Sequence, residues 1–475
     1  MSERSATEAR SESPTVLPAE SFALSEIVSA LSFALDLTED AIPGHAVRCC
    51  LLGTRIGREL GLNDAALADL YYALLLKDIG CSSNAARMSQ ILGGDDRKAK
   101  REVKLVDWTR PTLAGLKMAW VNALPNGRFW QRARRVLDLS LHQKRNNVEV
   151  ISIRCERGAG IARKIGMSAE CARAIYCLDE HWDGAGYPDH LQAEAIPLLA
   201  RILGVAQHLD VFAGDKDRRT AIETMRKRSG SWFDPELVRI VVSLDLSGAL
   251  WAGCGAPDER ARAVALEPGD AQFINAEKAD RICEAFADVV DAKSPFTYRH
   301  CLDVAQVAEG IALQLGMTPR KRQFIYRAGL LHDLGKLRVP NSILDKPSPL
   351  DAAEWLVVRE HPLLSQQILA RMPAFAGIAA VTGRHHERLD GSGYPLGLKG
   401  EELSLEDRIL CVADVYGALS ENRPYRSGLP TEEIVAIFAR EAPKRLDPHC
   451  VEALVAYLEN KEEATPRAAG QTLNG

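Results

Sequence analysis

Apolar residues recur at three- and four-residue steps along most of this chain. Val304, Val307, Ile311 and Leu315 show the pattern, which puts their side chains on one face of an α-helix. Segments that alternate apolar and polar residues over the length of a strand are hard to find. The hydrophobic pattern therefore predicts an all-α protein.

The helical pattern occurs twice, in two related copies. The segment that begins at His45 reads HAVRCCLLGTRIGRELGLNDAALADLYYALLLKDIG and aligns without gaps on HCLDVAQVAEGIALQLGMTPRKRQFIYRAGLLHDLG, which begins at His300. A second gapless match pairs WDGAGYP at 182–188 with LDGSGYP at 389–395. The two offsets, 255 and 207 residues, differ by 48, so the first copy holds about 48 extra residues, which we place around 90–139. We interpret the chain as a tandem duplication.

Glycine, proline and charged residues cluster between the two copies, in GCGAPDER and LEPGD, and such a cluster marks a boundary. Both ends of the chain are polar and rich in small residues, with too little apolar surface to offset the entropy of ordering. The predicted organisation is a disordered N-terminus at 1–20, a first copy at 21–252 with an insertion around 90–139, a linker at 253–275, a second copy at 276–460 and a disordered tail at 461–475.

Composition excludes several functional classes. The formal net charge is -5, so a basic surface for nucleic-acid polymers is not expected. The eleven cysteines include no CxxC pair, which argues against a zinc ribbon or a redox motif. The N-terminus lacks the features of a secretion signal, and no apolar run approaches the length of a membrane span. We expect a cytoplasmic protein without membrane contact.

Histidines of the second copy carry the candidate chemistry. Five of the six histidines after the boundary lie in short motifs, and Asp333 and Asp414 each follow an apolar run. A lone buried histidine is usually a hydrogen-bonded core residue. Together, imidazoles and carboxylates suit a pair of divalent transition-metal ions. The predicted constellation consists of His300, His332, Asp333, His361, His385, His386 and Asp414.

The motifs HDLGK, EHP, HHERLDGSGYP, VADVY, RPYR and LDP, in this order, resemble the HD-GYP family, a branch of the HD phosphohydrolase superfamily. The resemblance covers about 170 residues of the second copy. It implies a tandem duplication of an HD-type helical metal-binding domain, in which the second copy is active. It also implies hydrolysis of cyclic di-GMP to pGpG or onward to GMP, by a hydroxide that a binuclear metal centre activates.

The resemblance carries the role of metal ligand onto all seven residues of the constellation. Asp333 would bridge the ions and serve catalysis together with Lys336. Lys336 and Arg426 would contact substrate phosphate, which suits an ammonium and a guanidinium fork. The expected cofactor is two divalent metal ions, iron or manganese.

Two positions depart from the family pattern. Some members have a glutamate where this chain has Phe296, and that glutamate helps to bind a third metal, so we favour two ions. The family often has a second aspartate where this chain has Gly417. The glycine makes substrate affinity, or a hydrogen bond from a neighbouring side chain to a metal ligand, less secure. The GYP loop at 390–395 is interpreted either as a functional signature or as a plain structural turn.

The first copy keeps His45 and Asp78 but has lost the other ligands. The residues at the positions of His332, His361, His385, His386 and Asp414 are, in order, Lys77, Arg154, Leu178, Asp179 and Gln207. Cys81 replaces Lys336. Because two cations among the ligand positions would repel a metal ion, we predict a catalytically inactive copy with a structural or ligand-sensing role.

The insertion and the loop of the first copy have simple interpretations. The run DDRKAKREVK is expected to form a solvated, charged helix face. Trp108, Trp120 and Trp130 are expected in the core of a helical hairpin. Trp182 in WDGAGYP could stack on a base, although a folded loop is the plainer explanation.

Two alternatives to a cyclic di-GMP phosphodiesterase stay open. One is an HD hydrolase that acts on another nucleotide or phosphoester, because pocket shape sets the substrate. The other is a non-enzymatic receptor or interaction protein for cyclic dinucleotides, which the intact constellation argues against. Beyond the nucleotide, the expected partner is a second copy of the chain in a homodimer or a signalling protein.

Overall fold

The computed structural model describes residues 22–107, 112–125, 127–270, 272–422 and 426–464. The prediction of an all-α fold is confirmed. Within the described residues, the only sheet is a pair of two-residue antiparallel strands, β1 (Phe22–Ala23) and β2 (Phe273–Ile274). No described helix combines the length and the apolar character that crossing a bilayer requires.

The first copy and its insertion form twelve helices among the described residues. They are α1 (Leu24–Thr38), α2 (His45–Glu59), α3 (Asp64–Leu76), α4 (Ala85–Leu92), α5 (Asp96–Leu105), α6 (Leu113–Asn122), α7 (Phe129–Leu141), α8 (Gln143–Lys164), α9 (Ala169–Tyr176), α10 (Leu198–Asp215), α11 (Arg218–Arg228) and α12 (Pro235–Leu246).

The described helices that follow belong to the predicted linker and the second copy. They are α13 (Glu259–Ala265), α14 (Ala276–Asp291), α15 (His300–Gln314), α16 (Pro319–Leu331), α17 (Asn341–Leu344), α18 (Ala352–Arg359), α19 (His361–Leu369), α20 (Ala376–Thr382), α21 (Leu405–Ser420), α22 (Thr431–Glu441) and α23 (Pro448–Ala464).

The duplication is visible in the helix bounds. Helices α2 and α15 begin at the paired residues His45 and His300 and both have 15 residues. Helices α3 and α16, which follow them, both have 13 residues. The starts of α10 and α21 are 207 positions apart, as the second sequence match requires. The two copies therefore fold alike where their sequences align.

The two copies share one apolar core. A single cluster of buried hydrophobic residues extends through both of them. Helix α1 packs on α2 and α3 of the first copy, and also on α19 and the 3-10 turn Leu334–Arg338 of the second copy. The segment predicted as a linker, 253–275, contains α13 and β2, and β2 pairs with β1. The predicted boundaries at 21–252 and 276–460 stay predictions.

The predicted solvated face of α5 is wrong. Asp96, Lys100 and Lys104 of this helix are buried, with at most 8% of each residue exposed. Lys104 forms an ion pair with Glu39 at 2.7 Å, and Lys100 donates to a backbone carbonyl. Asp96 accepts a hydrogen bond from the backbone N–H of Asn341 in the second copy. Because each charge has a partner, the helix can be buried.

The other expectations for the insertion and the chain ends have mixed outcomes. Trp130 is 80% exposed, so its prediction as a core residue is wrong, while Trp120 is half-buried. The predicted core residue Trp108 and the predicted disordered segment 1–20 lie outside the described residues. Helix α23 continues to Ala464, into the segment predicted as a tail, and the rest of that tail is not described.

Candidate metal centre

Helix ends bring the seven predicted ligands together. His300 and His361 are the first residues of α15 and α19, and Asp414 lies in the middle of α21. The other ligands follow the last residues of α16 and α20 as the pairs His332–Asp333 and His385–His386. Six of the seven are buried, and His386 is partly exposed.

Asp333 lies at the centre of the cluster. Its Oδ1 is 3.2 Å from Nε2 of His361, and its Oδ2 is 3.3 Å from Nε2 of His332 and 3.5 Å from Nε2 of His300. Asp414 lies opposite, with Oδ1 3.3 Å from Nε2 of His300. The two carboxylates thus face a shared set of imidazole nitrogens.

Backbone carbonyls orient three of the imidazoles. The Nδ1 atoms of His332, His361 and His385 lie 2.7, 2.7 and 2.6 Å from the carbonyl oxygen three residues upstream. Since a carbonyl only accepts, each Nδ1 carries the proton. When the ring is neutral, each Nε2 presents its lone pair to the cluster, which is the arrangement of a metal-ligating histidine.

The donor atoms of the cluster are better placed to bind a metal ion than to form hydrogen bonds with one another. Nε2 of His300, Nε2 of His332 and Oδ1 of Asp333 are buried and have no hydrogen-bond partner within the described part of the chain. Ligand atoms of His361, His385 and His386 lie within 4.8 Å of one another, and so do those of His300, His332 and Asp333. Buried polar atoms without partners are costly. The donor set therefore suits two bound divalent ions.

The charges of the cluster point to the same conclusion. Burial raises the pKa of Asp333, but the positive charges of His332 and Lys336 hold that pKa well below its ordinary value. Burial lowers the pKa of His332, but the carboxylates of Asp333 and Asp414 together outweigh this effect and raise the pKa to about 10. Burial lowers the pKa of His385 to about 3. The centre thus combines carboxylates, whose negative charge is stabilised by a nearby positive charge, with the neutral imidazole of His385.

Glu421 is a functional residue that sequence reasoning missed. Its Oε1 lies 2.8 Å from Nδ1 of His300. In the first copy, Asp210 makes the corresponding contact with Nδ1 of His45, at 2.7 Å. Asp210 occupies the position of Gly417, one helical turn before Glu421. Glu421 supplies the carboxylate contact to the first histidine that Gly417 cannot make, although no sequence motif indicated it.

The two predicted substrate contacts have different surroundings. Lys336 lies on the 3-10 turn after the HD pair and donates to Oδ2 of Asp333 at 2.5 Å. The guanidinium of Arg426 donates to the backbone carbonyls of Ala418, Leu419 and Ser427. These contacts tie Arg426 to the end of α21, and its role in binding phosphate stays a prediction.

The GYP loop has a structural role in both copies. Glu387 accepts hydrogen bonds from the backbone N–H groups of Leu396 and Leu398, and Glu180 holds the corresponding loop of the first copy in the same way. A Cβ on Gly393 would lie 2.4 Å from Cα of Glu387, which leaves no room for a side chain. This favours the structural interpretation of the glycine, although the ring of Tyr394 also lies against His386.

In the first copy, a lysine occupies the space of the metal cluster. Nζ of Lys77 lies 2.9 Å from Nε2 of His45 and also contacts the carboxylate of Asp78. Arg154 and Asp179, at two further ligand positions, form an ion pair with each other. The cations thus neutralise the carboxylates that remain, and the arrangement agrees with the predicted loss of metal binding.

A helical site in which an HD pair, four further histidines and a second aspartate converge defines a metal-dependent phosphohydrolase of the HD class. The HD domain family model matches residues 142–237 and 284–450. The chain belongs to this family, in its HD-GYP branch, and is a metal-dependent phosphodiesterase. The family assignment made from the motifs is confirmed.

Relatives and a solved structure match the duplicated architecture. The chain is 41% identical to the 3'3'-cGAMP-specific phosphodiesterase 3 of Vibrio cholerae over 92% of this chain and 95% of that protein. It is 40% identical to the cyclic di-GMP phosphodiesterase response regulator RpfG of Xanthomonas campestris over 32% of this chain and 41% of that protein. The crystal structure of the V. cholerae cyclic GMP-AMP phosphodiesterase V-cGAP3 superposes with a TM-score of 0.64 at 36% identity, and covers 93% of this chain and 98% of that one.

Proposed function

We propose that this chain hydrolyses a cyclic dinucleotide, with 3'3'-cGAMP as the preferred substrate. The convergence of the histidines on Asp333 and Asp414 carries the proposal for the reaction. The substrate is supported by the V. cholerae relative that is similar over nearly the whole duplication and is specific for 3'3'-cGAMP. Cyclic di-GMP, the substrate predicted from the motifs, is the second candidate, because RpfG is 40% identical to this chain over 154 residues.

The proposed ligands of two divalent ions, iron or manganese, are His300, His332, Asp333, His361, His385, His386 and Asp414. When bound, such a pair supplies a hydroxide near neutral pH and neutralises phosphoryl oxygens during in-line attack. Asp333 lies between the two groups of imidazoles and would hold both ions together. Lys336, at the edge of the cluster, would add positive charge where negative charge builds on the phosphoryl group.

A cavity next to the cluster suits the body of the substrate. Its volume is about 430 Å³, and His386 and Tyr394 form the wall on the side of the metal ligands. Arg388 lines the same cavity and would pair with the second phosphate, which a guanidinium contacts well. Arg445 also lines the cavity but already pairs with Glu441 at 3.1 Å. Arg359 lies over the ring of Tyr394, with its guanidinium carbon 4.8 Å from the ring centre, so an aromatic and cationic wall is available to a purine base.

The test is turnover of the full chain on a panel of 3'3'-cGAMP, cyclic di-GMP and cyclic di-AMP, after anaerobic purification and metal analysis. We expect about two ions per chain and the highest kcat/KM for 3'3'-cGAMP, with a linear dinucleotide as first product. Chelation should abolish turnover, and Fe²⁺ or Mn²⁺ should restore it. A higher kcat/KM for cyclic di-GMP would support the second candidate. Tight binding of a dinucleotide without hydrolysis by the metal-loaded chain would establish a receptor and overturn the proposal.

A further inference from the structure

The first copy contains a cavity larger than the one beside the metal ligands. Its volume is about 580 Å³, which is the size of a site for a drug-sized molecule. The insertion helices α5, α6 and α7 form one side, and α8, α10 and the loop that begins at Trp182 form the other. The inserted residues thus enclose the face of the first copy that corresponds to the metal centre of the second copy.

The charges in this cavity are satisfied within the protein. Each lysine and arginine of its wall has a carboxylate partner: Lys100 with Asp96, Lys104 with Glu39, Arg154 with Asp179, and Arg201 with Asp234. Most of the remaining wall is apolar and includes Leu116, Ile151, Leu178 and Phe233. A ligand with two phosphates would have to break these pairs, so an anionic dinucleotide is disfavoured.

Two buried amides in the wall need hydrogen-bond donors. Among the residues that the structure describes, Oε1 of Gln207 and Oδ1 of Asn84 have no hydrogen-bond partner, and these residues are only 1% and 3% exposed. Gln207 stands at the position that Asp414 holds in the second copy. A buried acceptor without a donor costs free energy. A ligand that offers an N–H or O–H group would remove that cost.

We infer that this cavity binds one uncharged, largely apolar small molecule that carries an N–H or O–H donor, and that it is not a second site for the cyclic dinucleotide. The apolar wall supplies the affinity, and the paired charges exclude anions. Gln207 and Asn84 select for the donor. The site lies in the copy without metal ligands, so the inference does not depend on the substrate of the second copy.

Two related fluorescent probes test the chemistry of the ligand on the full chain. N-phenyl-1-naphthylamine is neutral and apolar with a single N–H donor, and 8-anilinonaphthalene-1-sulfonate is its sulfonated, anionic relative. We expect the neutral probe to saturate at one molecule per chain, with an affinity at least tenfold higher than that of the anionic probe. Addition of 3'3'-cGAMP should not displace the neutral probe. Equal affinity of both probes, or displacement by 3'3'-cGAMP, would overturn the inference.

A matched pair of glycine variants tests the location. In Gly204→Leu the new Cβ would meet only the carbonyl oxygen of Leu178 at 3.6 Å, so the leucine can enter the cavity without a backbone clash. In Gly160→Leu, in α8 but outside the cavity wall, the new Cβ meets nothing within 4 Å. We expect Gly204→Leu to weaken the neutral probe at least tenfold and Gly160→Leu to leave its affinity unchanged.

A third variant keeps the test valid if Gly204→Leu unfolds. Gln207→Leu preserves the volume of the side chain and removes the acceptor, so it should weaken the neutral probe about three- to tenfold. Thermal unfolding and turnover by the second copy report whether each variant is folded. Unchanged affinity in both Gly204→Leu and Gln207→Leu would place the probe elsewhere and overturn the inference.

Discussion

Nδ1 of His300 lies 2.8 Å from Oε1 of Glu421, whereas in the first copy the same nitrogen of His45 faces Asp210. The second copy has Gly417 at the position that corresponds to Asp210. A Cβ on Gly417 would lie 2.9 Å from Cγ2 of Val304, so a side chain fits poorly there. The second copy thus keeps a carboxylate behind its first histidine by placing it one turn later on the chain.

Removing this carboxylate should weaken the metal centre. Glu421→Ala is expected to lower metal affinity about 10- to 100-fold, because a carboxylate behind a ligating histidine fixes its orientation and raises its basicity. Glu421→Gln should lower metal affinity less, since the amide oxygen can still accept a hydrogen bond from Nδ1 of His300. Competition with a metal indicator measures the affinity. The exposed Glu452, which lies 3.8 Å from Nδ1 of His449, supplies the control Glu452→Ala. Equal metal affinity in Glu421→Ala and this control would contradict the role of Glu421.

Loss of a central ligand should abolish turnover without unfolding the chain. We expect no detectable hydrolysis by Asp333→Ala or His332→Ala, because both groups of imidazoles contact Asp333. Metal analysis should show less than one ion per chain. Circular dichroism should stay close to that of the wild type, since one polar side chain contributes little to a core of this size. Near-normal turnover by either variant would show that the reaction takes place elsewhere.

The buried ion pair of the first copy should contribute to stability. Lys77 and Asp78 are both buried and in contact. Lys77→Met leaves the carboxylate of Asp78 with Lys104 at 3.7 Å, so we expect a loss of roughly 3 kcal/mol in the free energy of unfolding. The double variant Lys77→Met, Asp78→Asn should recover part of this loss because no charge is stranded. Denaturant unfolding of both variants measures the free energy of unfolding. Equal stability of the single variant and the wild type would contradict the prediction.

A lysine at the boundary between the copies should make stability depend on pH. Lys293 is 1% exposed, and burial lowers its pKa from an ordinary 10.5 to about 8. The ammonium is penalised in the folded state below pH 8, and the penalty disappears as the pH rises to 10.5. Wild-type stability should therefore gain from this group between pH 8 and 10.5.

The variant Lys293→Met removes that group. Because the variant also removes a partner of the buried Asp96, the expected result is a change with pH. Relative to the wild type, we expect Lys293→Met to lose up to about 3 kcal/mol of stability as the pH rises from 8 to 10.5. Thermal unfolding at several pH values measures the difference, and the exposed Lys227 supplies the control Lys227→Met. A stability difference that is independent of pH would contradict the assignment to Lys293.

The sequence by itself determined the main helices and the candidate ligand set. Helical periodicity and the repeat predicted that His45 and His300 occupy equivalent positions, and both residues begin helices of the same length. The order of the motifs identified Asp333 and Asp414, which the structure brings together with the histidines. Such information is local, because the period of apolar residues sets which face of a helix is buried.

Only the tertiary structure decided which distant groups meet. Glu421 reaches His300 across 121 positions, and Asp96 reaches Asn341 across 245, so neither contact leaves a pattern within a window of the sequence. The charges of α5 look solvated along the chain, yet they are buried because their partners come from distant segments of the chain. The exposure of Trp130 and the cavity of the first copy likewise depend on how the helices pack. Burial of a polar or aromatic side chain depends on the groups that surround it in three dimensions, and local sequence does not contain them.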